Sequence, residues 1–353
     1  MIETVLNRAQ TFRYLRWPWL WIALPVLLAA LIAGASIGET RIPLDIIFQV
    51  LANKLFNADY PVGRIDSGIV WNYRVSRAIV AGCCGAALAL AGLVLQALLR
   101  NALADPYLLG ISAGASTGAV AVAVAGLGAG AVSLSAGAFA GAALAFVLVA
   151  ALARAAGGGP GLQAAGVIVL AGIAGSQLFN ALTAFVIAKS ANAEQARGIM
   201  FWMLGNLSGV RWDDVWLAVP ATVAGVAACL WHIRALDAFT FGADSAAALG
   251  IAVRRVQVLL IGMAALTTAV MVSMVGSIGF VGLVIPHAMR FIVGVRHPRL
   301  VPASALAGAV FLIGSDILSR VIIPGQVLPI GVITALVGAP AFALILLRGR
   351  VGR

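Results

Sequence analysis

The chain has 353 residues, of which 62% are hydrophobic and only 10% charged, with a mean hydropathy of +1.06 and a net charge of +11. Soluble domains carry charge on about a quarter of their residues, so there is too little charge here to cover a soluble surface. The positive balance does not indicate nucleic acid either, because the basic residues punctuate apolar runs and form no stripe interleaved with aromatics.

Apolar runs of about 18 to 25 residues recur along the chain, the length that crosses a bilayer's hydrocarbon. Backbone amides in lipid must pair within their own segment, which makes such runs helices. The alternating polarity of a membrane β-barrel is absent. The expectation is an all-α, polytopic membrane protein: one transmembrane domain over residues 1–353, with both termini cytoplasmic. Ten spans are expected near 19–38, 72–99, 107–125, 131–153, 162–188, 214–233, 254–274, 278–295, 302–320 and 328–347.

Arg8, Arg13 and Arg16 precede the first run, which contains Ala33-Gly34-Ala35, a possible signal-peptidase site. That run is longer than a signal h-region, so an uncleaved first span is expected. Stretches such as Ala81–Gly92 and Gly137–Gly141 are rich in small residues, which let helix backbones approach closely. With the N-terminus inside, 14 of the 23 basic residues but only four of the 12 acidic ones fall on the cytoplasmic face. This asymmetry is the one that orients membrane proteins. The outer links Gly126–Gly130 and Ser273–Ser277 carry no charge, in agreement.

Between the sixth and seventh spans lies a segment, 236–252, too polar to cross a membrane and rich in helix formers. One or two short surface helices are expected there, with Asp244 capping Ser245–Leu249 and Gly250 ending it. A plain loop needs no such structure, whereas a docking element for a cytoplasmic partner does.

No catalytic constellation is visible. His232, His287 and His297 have no Cys or carboxylate set beside them that would make a metal site. There is no phosphate-binding loop for ATP. Cys83, Cys84 and Cys229 read as packing residues. The span interiors hold almost no ionisable groups, which ion-coupled carriers require. Asp316 is the one deep candidate, and Arg320 one turn later makes an ion pair its expected role. Arg74 and Arg77 open the second span one turn apart, and Arg320 closes the ninth. Spacing alone allows two roles for them: anchoring in lipid headgroups, or a patch whose planar forks take carboxylates of an external protein.

Several stretches resemble the FecCD-type permeases that import cobalamin, haem and ferric siderophores. They are RVSRAIVAGCCGAALALAGLVLQALLRNALADPYLLGISAGASTGAV from Arg74, FWMLGNLSG from Phe201, FGADSAAALGI from Phe241, GSIGFVGLVIPHAMR from Gly276, DILSR from Asp316 and LPIGVITALVGAPAFALILLR from Leu328. Each motif is glycine-rich and weak alone, but their order and spacing from about residue 70 onward are specific. The resemblance implies ten helices per subunit and a homodimer in the bacterial inner membrane. It also implies two cytoplasmic ATPase subunits, which use the ATP, and a periplasmic substrate-binding protein. No cofactor of its own is implied.

By the same resemblance, Arg74, Arg77 and Arg320 receive acidic residues of the binding protein. Asp244, Ala247, Leu249 and Gly250 contact the ATPase, and Asn101 and Leu103 line a cytoplasmic gate. The cargo is expected to be an iron source, haem first, with cobalamin or a ferric siderophore as alternatives. No His or Tyr axial ligand is evident deep in a span. The chain departs from the family pattern at Ser76 and Ala102, where proline is usual, and at Val327, where Glu is usual. The rivals are an ion-coupled carrier, a membrane enzyme and a channel; the empty span interiors, the missing His or carboxylate clusters and the structured cytoplasmic segment oppose them in turn.

Overall fold

The computed structural model describes residues 20–38, 40, 42–124, 133–157, 162–190 and 192–351. The basic cluster Arg8, Arg13 and Arg16 and the link Gly126–Gly130 lie outside the described residues. The chain is helical throughout, with no strand among the described residues beyond an isolated bridge between Ile323 and Gln326.

In chain order, α1 (Leu20–Ser36) is followed by α2 (Leu44–Phe56). Then comes one long rod made of α3 (Arg64–Gly68), a π-helical segment Ile69–Val75 and α4 (Ser76–Leu98). A 3-10 turn at Pro106–Leu109 leads into α5 (Ile111–Val124), α6 (Leu134–Ala155), α7 (Leu162–Ser190), α8 (Ala193–Met203) and α9 (Trp212–Trp231). Two short helices, α10 (Ile233–Phe239) and α11 (Ala243–Ala248), precede α12 (Val253–Val275), α13 (Val281–Val293), α14 (His297–Val321) and α15 (Ile330–Val351).

Six helices are long and apolar enough to cross a membrane, and four shorter apolar ones occupy the remaining expected spans. Two short elements, α2 and α8, sit where only connections were expected. α13 has 13 residues where the apolar run suggested 278–295. The run stays hydrophobic through a break at Gly276–Phe280, so hydropathy alone did not show the helix stopping.

α4 is the axis of the bundle, enclosed by α9, α12, α13 and α14. Almost every residue from Ser76 to Leu98 is buried. Small residues permit this packing: a Cβ on Gly92 would stand 1.9 Å from the Gly282 carbonyl oxygen, and one on Gly85 2.1 Å from that of Gly308. α5 and α6 meet in the same way through Gly114, Gly118, Gly137 and Gly141. Lipid cannot drive helices together hydrophobically, so close backbone contact supplies the cohesion.

Candidate functional site

The outer arginines converge. The Arg77 guanidinium donates to Asp316 Oδ1 through Nε at 2.8 Å, with a second nitrogen 2.7 Å away, and to Ser208 Oγ at 3.2 Å. Arg320 forms a 2.9 Å ion pair with Asp316 Oδ2. Arg320 Nε donates to the Asp316 carbonyl at 3.3 Å, and other donors go to the end of α1 and the residues just after it. Arg320 donates to the carbonyls of Gly34 at 3.1 Å and Ile37 at 2.8 Å, and Arg74 to those of Ser36 at 2.8 Å, Ala35 and Thr40.

The last carbonyls of a helix have no partner within it and carry its negative dipole end. Two arginines from other helices therefore cap α1, and Asp316 neutralises part of their charge. The ion pair expected between Asp316 and Arg320 is present, and Arg77 joins it from 239 residues away.

Exposed forks were one expectation for these arginines; the structure differs. Arg74, Arg77 and Arg320 are 5%, 9% and 6% exposed and Asp316 1%. Their planar donors are consumed by the protein's own carbonyls and carboxylate. Three positive charges against one negative leave the cluster cationic beneath the outer face.

The π-helical turn carries Arg74 and ends at Ser76, whose hydroxyl donates back to the Asn72 carbonyl at 2.7 Å. In a position where the resembled pattern has proline, this serine pairs a carbonyl that the widened turn exposes. Trp212 braces the same turn by stacking on Trp71 at 4.6 Å and donating its indole N–H to the Trp71 carbonyl.

A second constellation, not anticipated from sequence, surrounds the break at Gly276–Phe280. The Tyr107 hydroxyl accepts from the Ile278 N–H at 2.8 Å and donates to the Ile278 carbonyl at 2.9 Å. Ser112 and Ser277 share a hydrogen bond through their hydroxyls. Asn206 N–H donates to the Val275 carbonyl, and Ile330 and Gly331 N–H donate to those of Gly205 and Leu204. Gly205 and Gly276 hold φ of +80° and +73°, so chains that leave their helices here bond to one another. Irregular backbone at membrane depth is tolerated when protein satisfies it in this way. The signal available in sequence was the glycine pair Gly276 and Gly279 in an apolar run.

At the inner end, Gln96 donates to the Gly282 carbonyl at 3.0 Å and accepts from Arg290 at 2.6 Å, tying α4 to α13. Asn101 turns the connection after α4, its Oδ1 accepting from Leu103 N–H at 2.9 Å, and Leu103 stands exposed beside it. Ala102 is exposed and adopts this turn without proline.

In the polar segment between the sixth and seventh apolar helices, α11 begins at Ala243 after Gly242, whose φ is +111°, and no side chain caps it. Asp244 is therefore a first-turn residue, not the cap that was expected: the backbone turns one residue earlier, and only glycine takes that φ readily. Gly250 does end the helix. With φ of +78° it donates to the Ala247 carbonyl while Ile251 donates to that of Ala246, a Schellman closure. Ala246 is buried, whereas Asp244, Ala247 and Gly250 are exposed and Leu249 and Phe241 are 72% and 75% exposed.

α10 is moored to α14 by Asp237, which accepts from both the backbone N–H and the Nδ1 of His297. Burial pushes the Asp237 carboxyl up, but the His297 hydrogen bonds and the charge of Arg296 outweigh it and hold the group below its ordinary value. Among the described residues, no group of three or more His, Cys, Asp or Glu is placed to hold a metal ion.

Residues 26–348 match the FecCD transport family. The chain belongs to that family. It is therefore a permease of the ABC-transporter type and a multi-pass protein of the inner membrane. FecCD relatives include the uncharacterized ABC transporter permease protein YvrB of Bacillus subtilis, 36% identical over 94% of each chain. The cobalamin import system permease protein BtuC of Halobacterium salinarum is 40% identical over 80% of this chain and 74% of its own. The Fe(3+) dicitrate transport system permease protein FecD of Escherichia coli is 32% identical over 83% of this chain and 89% of its own. A solved structure reported as an inward-facing ABC transporter of the metal-chelate type is 25% identical, covers 93% of this chain and 98% of its own, and superposes with a TM-score of 0.79.

Proposed function

We propose that this FecCD permease works as a homodimer with two cytoplasmic ATPase subunits and an external substrate-binding protein to import a bulky metal chelate or corrinoid. The carrying observation is the α10–α11 element. It lies between spans, is closed by its own cap and moored to α14, yet leaves Phe241 and Leu249 largely exposed. Large apolar groups held rigidly outside the bilayer mark a protein interface. An ATPase seated there would move α11 and, through Val253, the start of α12. The chain takes its energy from that partner and binds no nucleotide of its own.

On the outer face, the cationic cluster of Arg74, Arg77, Asp316 and Arg320 supports docking of an acidic binding protein. Its role is a field projected from beneath the surface rather than free forks, and such fields steer association. Near the inner face, Asn101 and Leu103 serve as the gate. Among cargoes, the relatives named for cobalamin and Fe(3+) dicitrate support a corrinoid or a ferric chelate, and haem stands beside them as a further bulky iron chelate.

The test is reconstitution of the permease with its ATPase and binding protein in vesicles. ATP hydrolysis and uptake are measured in parallel for the three cargoes. One of them is expected to stimulate hydrolysis and accumulate inside. Accumulation driven by an ion gradient without the ATPase would overturn the reading.

A further inference from the structure

The middle of α7 carries two carboxamides that no lipid could accept. Gln177 lies 15 residues after Leu162 and 13 before Ser190, about 20 Å from either end at 1.5 Å per residue. Asn180 follows one turn later. Both are exposed, and their one mutual contact, from Asn180 to Gln177, is a stretched 3.5 Å. Elsewhere on the described spanning helices, Gln96 is buried and fully engaged, and Asn72 and Gln257 sit near helix ends.

The opposite face of α7 is settled. Phe179 and Thr183 are buried, with the Thr117 hydroxyl bonded to the Phe179 carbonyl and to Thr183. At about 100° per residue, the exposed half divides in two. Leu178, Leu182 and Phe185 form a bulky apolar flank, while from Gln177 onward Gln177, Asn180, Ala181 and Ala184 form a flank of amides and small residues, which the exposed Leu170 and Ile173 continue toward the start of the helix. The exposed side of α9 differs, showing Trp216, Leu217, Val219 and Val223 without an amide. An amide left in hydrocarbon without a partner costs several kcal/mol. The first flank suits acyl chains and the second suits water.

We infer that the Gln177–Asn180 flank of α7 lines the aqueous translocation cavity and that these two amides hydrogen-bond the passing cargo. This rests on the importer reading above. A carboxamide presents both donors and an acceptor and carries no charge. It matches the carboxylate or amide rim of a chelate or corrinoid, and it holds an anionic or a neutral cargo without an ion pair that would trap it. The alanines leave the width that a bulky cargo needs.

The complete transporter in vesicles tests this with three single variants, Gln177→Cys, Asn180→Cys and the apolar-flank control Leu182→Cys. Labelling by a charged, membrane-impermeant methanethiosulfonate is measured above that of the parent chain, whose Cys84 and Cys229 are buried and whose Cys83 is partly buried. The first two are expected to react at least tenfold faster than the third. In addition, the double variant Gln177→Leu/Asn180→Leu is expected to lower cargo uptake per ATP hydrolysed at least fivefold, with haem, cobalamin and ferric citrate as probes. Labelling at 177 and 180 as slow as at 182 would place the flank in lipid and overturn the inference. A spontaneous disulfide between copies at 177 or 180 without labelling would instead make the amides a dimer contact, and would overturn it too. If the wild type moved none of the three cargoes, the importer reading would fail and take the cargo contact with it. Labelling would still decide whether the flank is wet.

Discussion

Asp316 organises the outer end of the molecule at the scale of single residues. Its two oxygens face Arg77 and Arg320, and the rest of each guanidinium reaches other partners. Removing one member of a buried charge set leaves the others uncompensated, which costs about 3 to 5 kcal/mol. Asp316→Ala is therefore expected to lower thermal stability sharply in detergent or nanodiscs, with Asp316→Asn intermediate. A melting temperature within a degree of wild type in both would show the arginines to be supported by the α1 carbonyls alone. The same contacts mean that reversing Arg77 or Arg320 to Glu disturbs the fold as well as the outer field. The Asp316–Arg320 pair could be read from an i,i+4 spacing; the Arg77 contact could not, because chain order says nothing of which helix ends meet.

Tyr107 does for a broken helix, at the scale of elements, what a strand partner does in a sheet. Its one hydroxyl serves both the N–H and the C=O of Ile278. Tyr107→Phe leaves both backbone groups unpaired at membrane depth, a loss of about 1 to 3 kcal/mol. Thermal unfolding of the purified permease should register this, and hydrogen exchange should rise at Gly276–Val281 before the flanking α12 and α13 loosen. Exchange unchanged in that segment would show that the backbone bonds from Asn206 and Ile330 suffice. Span positions were legible because the runs are long and apolar. The break was not, since glycine and isoleucine keep hydropathy high whether or not the helix continues.

The whole molecule has two working ends joined by a closely packed helical bundle. Its cytoplasmic end offers Phe241 and Leu249. Replacing both with Asp is expected to leave the permease folded, because both residues are largely exposed, while the ATPase no longer copurifies. A fully associated, cargo-stimulated complex carrying both changes would remove α11 from the interface.

Composition and periodicity alone settled that this is a helical membrane protein, and they placed its ten apolar helices and the structured polar segment between the sixth and seventh of them. Those features follow from local physics: a bilayer has fixed thickness and lipid tolerates no unpaired amide, so each span announces itself within about 20 residues. Residue types also located the arginines, the aspartate and Gly250. Only the tertiary structure decided what they touch: that the arginines turn inward to cap α1, that Tyr107 holds Ile278, and that Gln177 and Asn180 remain uncovered. The contacts of the arginines and of Tyr107 join residues 34 to 286 positions apart, and they depend on how helices rotate and cross, which close glycine packing around α4 determines once the bundle has formed.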